Sequence, residues 1–260
     1  MISQKSFRSR LLVLVVVWII LLVVSFSFLS FLLAVFAQDT QAQSQTNPTW
    51  AGYIVATDFS FPKADFTGVN GSWIVPSVNL NTLGSSSAWV GIGGKFDKTL
   101  IQVGTGHECV PGNFGNKAQY YAWYELIPDK AIIINSLVIS AGDKITANIK
   151  LVSSSKNTWN INIRDDTTGK AFNINVNYDA SRLTAEWVLE RPFVNDRISN
   201  LDDFGKITFT GCYAKTSKYE SIGDFQHLQA KMIDDLNNPL VQVSSPKSKT
   251  SFTVSYVIPK

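Results

Sequence analysis

Three short stretches set polar side chains at every second position among apolar ones, and the polar set includes an amide and several carboxyls. In Gln119-Tyr120-Tyr121-Ala122-Trp123-Tyr124-Glu125-Leu126, a period of two puts Tyr121, Trp123 and Glu125 on one face, with Ala122, Tyr124 and Leu126 behind them. In Ala185-Glu186-Trp187-Val188-Leu189-Glu190, the apolar Ala185, Trp187 and Leu189 turn to a core and send Glu186 and Glu190 to the opposite face. In Leu100-Ile101-Gln102-Val103, Ile101 and Val103 face inward and Gln102 outward. On one concave sheet, Gln102, Trp123, Glu125, Glu186 and Glu190 would line a common groove in which carboxyls take and give protons. The outer face of a half-buried sheet is also polar without any such purpose, so periodicity alone leaves a plain solvated face as the other reading.

The elements that must hold these residues are strands. From Trp50 onward, short apolar or alternating runs are separated by turn residues, as at 72–78, 87–92, 119–127, 144–152 and 158–163, the spacing of an all-β sandwich or barrel. Asp165-Asp166-Thr167-Thr168-Gly169 between two alternating runs predicts a hairpin, with Gly169 supplying positive φ. Only 224–235 has a helical look, entered from Gly223. There is no composition break or internal repeat in 50–260, so one domain suffices, preceded by a polar linker at 38–49.

The chain has 260 residues, 45% hydrophobic and 17% charged, enough to bury one large core and too apolar for a disordered protein. Lys5, Arg8 and Arg10 account for the whole net charge of +3, which leaves residues 38–260 formally neutral and without the basic clusters that track a phosphate backbone. Nucleic-acid binding is set aside on that ground. The basic start and the uncharged run 11–37 read as an export signal or a membrane-anchor helix. The run is long enough to span a bilayer, while Val35 and Ala37 offer small residues for cleavage after Ala37. Both readings put the body outside the cytoplasm, secreted or attached to the membrane through 11–37. Cys109 and Cys212 suit either one disulfide or two separate buried thiols. With His107 and His227 as the only histidines and no paired Cys-x-x-Cys, no metal site is expected, and His107-Glu108-Cys109 reads as a loop. Asn70-Gly71-Ser72 is a formal glycosylation sequon.

At these same residues the sequence resembles the glutamic peptidases, or eqolisins. The matching segments are Trp50-Ala51-Gly52-Tyr53, Trp73-Ile74-Val75-Pro76, Ala88-Trp89-Val90-Gly91-Ile92-Gly93-Gly94, Leu100-Ile101-Gln102-Val103-Gly104, Ala122-Trp123-Tyr124-Glu125, Ala185-Glu186-Trp187-Val188-Leu189-Glu190, and Phe204-Gly205 followed by Phe209-Thr210. They occur in the family's order across residues 50–212. The resemblance implies a sandwich of two antiparallel sheets of the concanavalin A-like or jelly-roll type, and a groove on its concave face. It also implies proteolysis in acid, without a cofactor, on protein or peptide substrates, by a monomeric domain. By motif, the catalytic glutamine is Gln102 and the glutamate is Glu190, with Trp89, Trp123 and Glu125 binding substrate or supporting the cleft. Glu190 would act as base and then acid on water, ionised at moderately acidic pH because a carboxyl ordinarily titrates near about 4.3, and Gln102 would hold the oxyanion.

Two departures stand out. Fungal members commonly carry Asp where this chain has Gly93, and an acid a few residues beyond the glutamine where this chain reads Gly104-Thr105-Gly106, so the family's hydrogen-bond surroundings do not carry over to Gln102. Two other functions compete with the peptidase. A carbohydrate-binding module would use Tyr121 and Trp123 as stacking platforms. A glycosidase would use Glu186 and Glu190, but four residues of strand separate their Cα atoms by about 13 Å, against carboxyls about 5 to 5.5 Å apart in a retaining pair.

Overall fold

Alternation along the chain becomes alternation of burial. In the computed structural model, which describes residues 43–194 and 196–257, Trp159, Ile161 and Ile163 are buried while Thr158, Asn160 and Asn162 keep partial exposure. The strands in chain order are β1 (Gln43–Asn47), β2 (Trp50–Ala56), β3 (Gly68–Ile74), β4 (Gly84–Gly93), β5 (Leu100–Gly112), β6 (Gly115–Ile127), β7 (Ile132–Ile133), β8 (Lys144–Ser153) and β9 (Thr158–Asp165). They continue with β10 (Ala171–Asn177), β11 (Ala185–Glu190), β12 (Phe193–Val194), β13 (Arg197–Ile198), β14 (Lys206–Lys215), β15 (Tyr219–Ser221), β16 (Gln226–Met232), β17 (Val241–Val243) and β18 (Phe252–Tyr256). The expected hairpin is present as β9 and β10, with Gly169 at φ +76°.

Two sheets form a sandwich. The first runs β1-β16-β2-β11-β4-β5-β6-β7, and the second β10-β9-β8-β3-β14-β18-β17 with β15 beside β14. A large apolar cluster fills the space between them, including Trp73, Trp159, Trp187, Phe209 and Phe252. Indole groups also tie the sheets together: Trp187 Nε1 donates to the Asn70 carbonyl at 2.8 Å, and Trp73 Nε1 to Thr105 Oγ1 at 2.9 Å. Truncating a core tryptophan such as Trp187 to alanine should cost about 3–5 kcal/mol.

The structure corrects several expectations. Residues 224–235 are not helical: a 3-10 turn at Ile222–Asp224 leads into β16, where Leu228, Ala230 and Met232 are buried and Gln226 and Lys231 exposed. Pairing on both edges, with β1 and β2, satisfies the backbone of β16 and overrides a weak helical tendency. Part of the stretch read as a linker is the edge strand β1, which pairs with β16 in parallel, so the first sheet is not purely antiparallel. His107-Glu108-Cys109 lies within β5 rather than in a loop. Asn70 lies inside β3 between β8 and β14, its side-chain amide donating to the Gly211 carbonyl at 2.8 Å, a poor acceptor position for a glycan. Cys109 and Cys212 are separate buried thiols. The signal or anchor expected at 1–37 lies outside the described residues, among which no helix is long and apolar enough to cross a membrane.

Candidate active site

The site is built on the centre of the first sheet, where β11, β4, β5 and β6 stand side by side. Register places Glu190, Ser87, Gly106 and Tyr121 in one row across these strands, and Glu186, Gly91, Gln102 and Glu125 in another. Between them runs a row of Val188, Trp89, Gly104 and Trp123. All three rows share a face, because the intervening residues, such as Ala88, Ile101, Ala122 and Leu189, belong to the core between the sheets.

Glycine makes this face a floor. A Cβ at Gly106 would lie 2.3 Å from the Tyr121 ring, and one at Gly91 would lie 2.9 Å from the Trp89 ring, so each glycine leaves the space its aromatic neighbour occupies. A second apolar cluster results, Trp89, Leu100, Trp123 and Val188, with Trp50 and Tyr121 packed against it. Above it opens a cleft of about 600 Å³ lined by Gln102, Glu190, Glu125, Trp123, Tyr121 and Trp50 among others.

Glu190 is held from two sides: Trp89 Nε1 donates to Oε2 at 2.8 Å and Trp50 Nε1 to Oε1 at 3.3 Å. Burial pushes its carboxyl up to about 7; the two indole donors pull it back and the Glu125 charge adds to the rise. The ordinary carboxylate value assumed from sequence therefore does not hold, and Glu190 carries a proton through the acidic range.

Gln102 is buried, and its Nε2 donates to Glu125 Oε2 at a short 2.5 Å. Glu125 on β6 is thus the hydrogen-bond partner of the Gln102 amide. Burial raises Glu125 as well, offset by the bonds from Gln102 and from the Ala131 backbone. Gln102 Oε1 is buried and has no hydrogen-bond partner among the described residues. With one Nε2 hydrogen anchored on Glu125, the second hydrogen is left to donate.

The expected residues are thus gathered in one place, with two exceptions. Trp89 is fully buried and acts on Glu190 through its indole N–H, not as a wall of the cleft. Glu186 is also fully buried and does not line the cleft; among the described residues neither carboxyl oxygen has a hydrogen bond of good geometry, and burial drives its titration well above the usual range. A pairing of Glu186 with Glu190, as a glycosidase would need, has no support. Trp123 is only 5% exposed, with Nε1 bonded to Ser87 Oγ at 2.9 Å, so it offers no open stacking face to a sugar. Trp50 was absent from the expected site; its signal was available in the Trp50-Ala51-Gly52-Tyr53 segment, which register sets opposite Glu190.

Elsewhere on β5, His107 is buried between Ser86 Oγ (3.1 Å) and Thr105 Oγ1 (2.8 Å), and burial pushes it down to about 3. No group of three or more His, Cys, Asp or Glu side chains is arranged for a metal ion among the described residues.

The sequence profile of the peptidase A4 family matches residues 48–256. Aspergillopepsin-2 of Aspergillus niger is 30% identical over 233 residues, covering 80% of this chain and 77% of that protein. Scytalido-glutamic peptidase, crystallised with a transition state analog inhibitor, superposes with a TM-score of 0.67 over 81% of this chain and 99% of its own; at 23% identity this likeness speaks for the fold. Aspergilloglutamic peptidase from Aspergillus niger gives a TM-score of 0.59 at 28% identity, over 67% of this chain and 99% of that one.

Proposed function

The chain belongs to the peptidase A4 family of glutamic endopeptidases, and on that premise we propose that Glu190 and Gln102 are the pair that hydrolyses the peptide bond, in acid. The observation that carries this reading is the doubly held Glu190 carboxyl in the same cleft as an anchored Gln102 amide.

Hydrolysis needs an acceptor for a water proton, a donor to the oxyanion and an acid for the departing amine. A protonated carboxyl has both an O–H to give and an oxygen to receive. As water adds to the scissile carbon, one Glu190 oxygen takes its proton, and the O–H of the other protonates the amide nitrogen as the C–N bond breaks. Glu190 ends protonated, as it began. The free Nε2 hydrogen of Gln102 donates to the carbonyl oxygen while it carries negative charge, a contribution of roughly 3 kcal/mol in a site with little water. Trp50 and Trp89 hold the carboxyl in place, and Glu125 fixes the amide so that its N–H, not its carbonyl, meets the oxyanion.

Because the working form is the protonated acid, activity is expected to hold through the acidic range and fall as pH rises through about 7. Export to a compartment outside the cytoplasm fits this chemistry, with 1–37 as signal or anchor. The test is protein digestion by the exported domain from pH 3 to 8.5, beside Gln102→Ala and Glu190→Gln. Digestion undiminished in both variants would remove the assignment.

A further inference from the structure

The cleft is electrically lopsided. Its acidic lining side chains are Glu125 and Glu190 near the centre of the first sheet, with Glu190 protonated in acid, and among the described residues its one basic lining side chain is Lys95, in the loop between β4 and β5. Lys95 is half-buried, and its Nζ donates to Gln45 Oε1 at 2.5 Å. Gln45 lies on β1 at the sheet edge, and in sheet order β16, β2 and β11 separate β1 from β4. The bond therefore brings the ammonium to the β1 side of the cleft, where Ile54, Leu228 and Ala230 also line the wall.

This charge is not neutralised. Gln45 supplies only a neutral acceptor, and among the described residues no carboxylate stands within 4.0 Å of Lys95 Nζ. The nearest acid in sequence, Asp97, accepts from Thr99 N at 2.7 Å and Thr99 Oγ1 at 2.8 Å. An ammonium has three hydrogens, and Gln45 uses one. A carboxylate arriving there gains charge-assisted hydrogen bonds beside an apolar wall, whereas at the β6 side it would meet Glu125.

We propose that Lys95 is a specificity-determining residue, selecting peptides whose aspartate or glutamate side chain falls on the β1 side of the cleft. The inference rests on the peptidase reading above and adds to it the charge of the preferred substrate. Since the substrate carboxyl ionises near about 4, the preference grows as pH rises past that value.

The test uses the full chain and a set of otherwise identical peptides in which glutamate replaces glutamine at one position at a time around the scissile bond. At pH 5.5, kcat/KM should favour glutamate over glutamine about tenfold or more at one position, as expected for a hydrogen bond between charged groups, and the ratio should shrink toward one at pH 3. Lys95→Gln should bring the ratio to about one at both pH values, and Lys95→Glu should turn the preference toward lysine at that position. The same peptides titrated onto Glu190→Gln, with and without Lys95→Gln, measure the preference as binding, independent of turnover. Absence of cleavage alongside an acid-dependent binding preference that Lys95→Gln abolishes would count against the Glu190–Gln102 pair, not against Lys95. No glutamate preference at any position, or one that survives Lys95→Gln, would overturn the role of Lys95.

Discussion

The cleft face of the first sheet and the outer face of the second both carry polar side chains at alternate positions, yet they treat them in opposite ways. On the second sheet, Asn70, Asn148, Asn162 and Asn173 stand in one register row across β3, β8, β9 and β10. Neighbouring amides bond to each other, Asn160 Nδ2 to Asn173 Oδ1 at 2.6 Å and to Asn175 Oδ1 at 2.8 Å, and these side chains keep contact with water. On the first sheet, glycines at Gly91 and Gly106 let Trp89 and Tyr121 lie against the strands, and the polar groups among them lose solvent. Burial there leaves Gln102 Oε1 unpartnered and lifts Glu190 to about 7. Alternation marks a polar face; aromatic rings laid over glycine turn one such face into a reactive cleft.

Substitutions on the two faces should separate sharply. Glu190→Gln should lower kcat/KM by about 10³- to 10⁴-fold, the scale of lost proton transfer, while Asn160→Ala on the second sheet stays within about twofold in the same steady-state assay. An equal loss from Asn160→Ala would erase the contrast. Gln102→Ala should cost about 10²- to 10³-fold, mainly in kcat, since its donor acts on charge that develops during reaction.

A smaller effect concerns stability. Burial pushes Asp202 up to about 7, with Asp203 and Glu108 adding like charge, and drives Glu186 upward too. An acid raised in the fold binds its proton more tightly there than in the unfolded chain, whose values lie near about 4. The contribution of Asp202 should therefore be fully present below about pH 4, be lost as pH rises toward 7, and change no further above it, while buried His107, pushed down to about 3, contributes a slope of opposite sign over much of the same range. The Asp202 contribution amounts to at most about 4 kcal/mol over that span. Denaturant unfolding of the unmodified chain and of Asp202→Asn should differ by this slope, the unmodified chain losing more stability as pH rises from 4 to 7; a difference of opposite sign would contradict the burial argument.

Much of this arrangement was readable beforehand, for identifiable reasons. The faces of β6, β11 and β5 follow from strict alternation, and the motif segments brought Gln102 and Glu190 into one cleft across a separation no local rule reaches. What escaped depends on neighbours. Glu186 has the same parity as Glu190 on β11, yet it is fully buried while Glu190 reaches the cleft. The full burial of Trp89 depends on its ring lying over Gly91, and the helical look of 224–235 gave way once β1 and β2 were available on both edges. The raised Glu190 reflects desolvation by burial, only partly offset by the Trp89 and Trp50 indole donors, which no count of carboxyls along a chain conveys.

The central claim is that Glu190 and Gln102 act on one peptide bond as a unit. A double-mutant cycle tests it most directly: kcat/KM on a single peptide at pH 4 for the unmodified chain, Glu190→Gln, Gln102→Ala and the double variant, each checked for folding. The account predicts a double variant little worse than Glu190→Gln alone. Losses that multiply in full would mean that the two side chains contribute independently, and would contradict it.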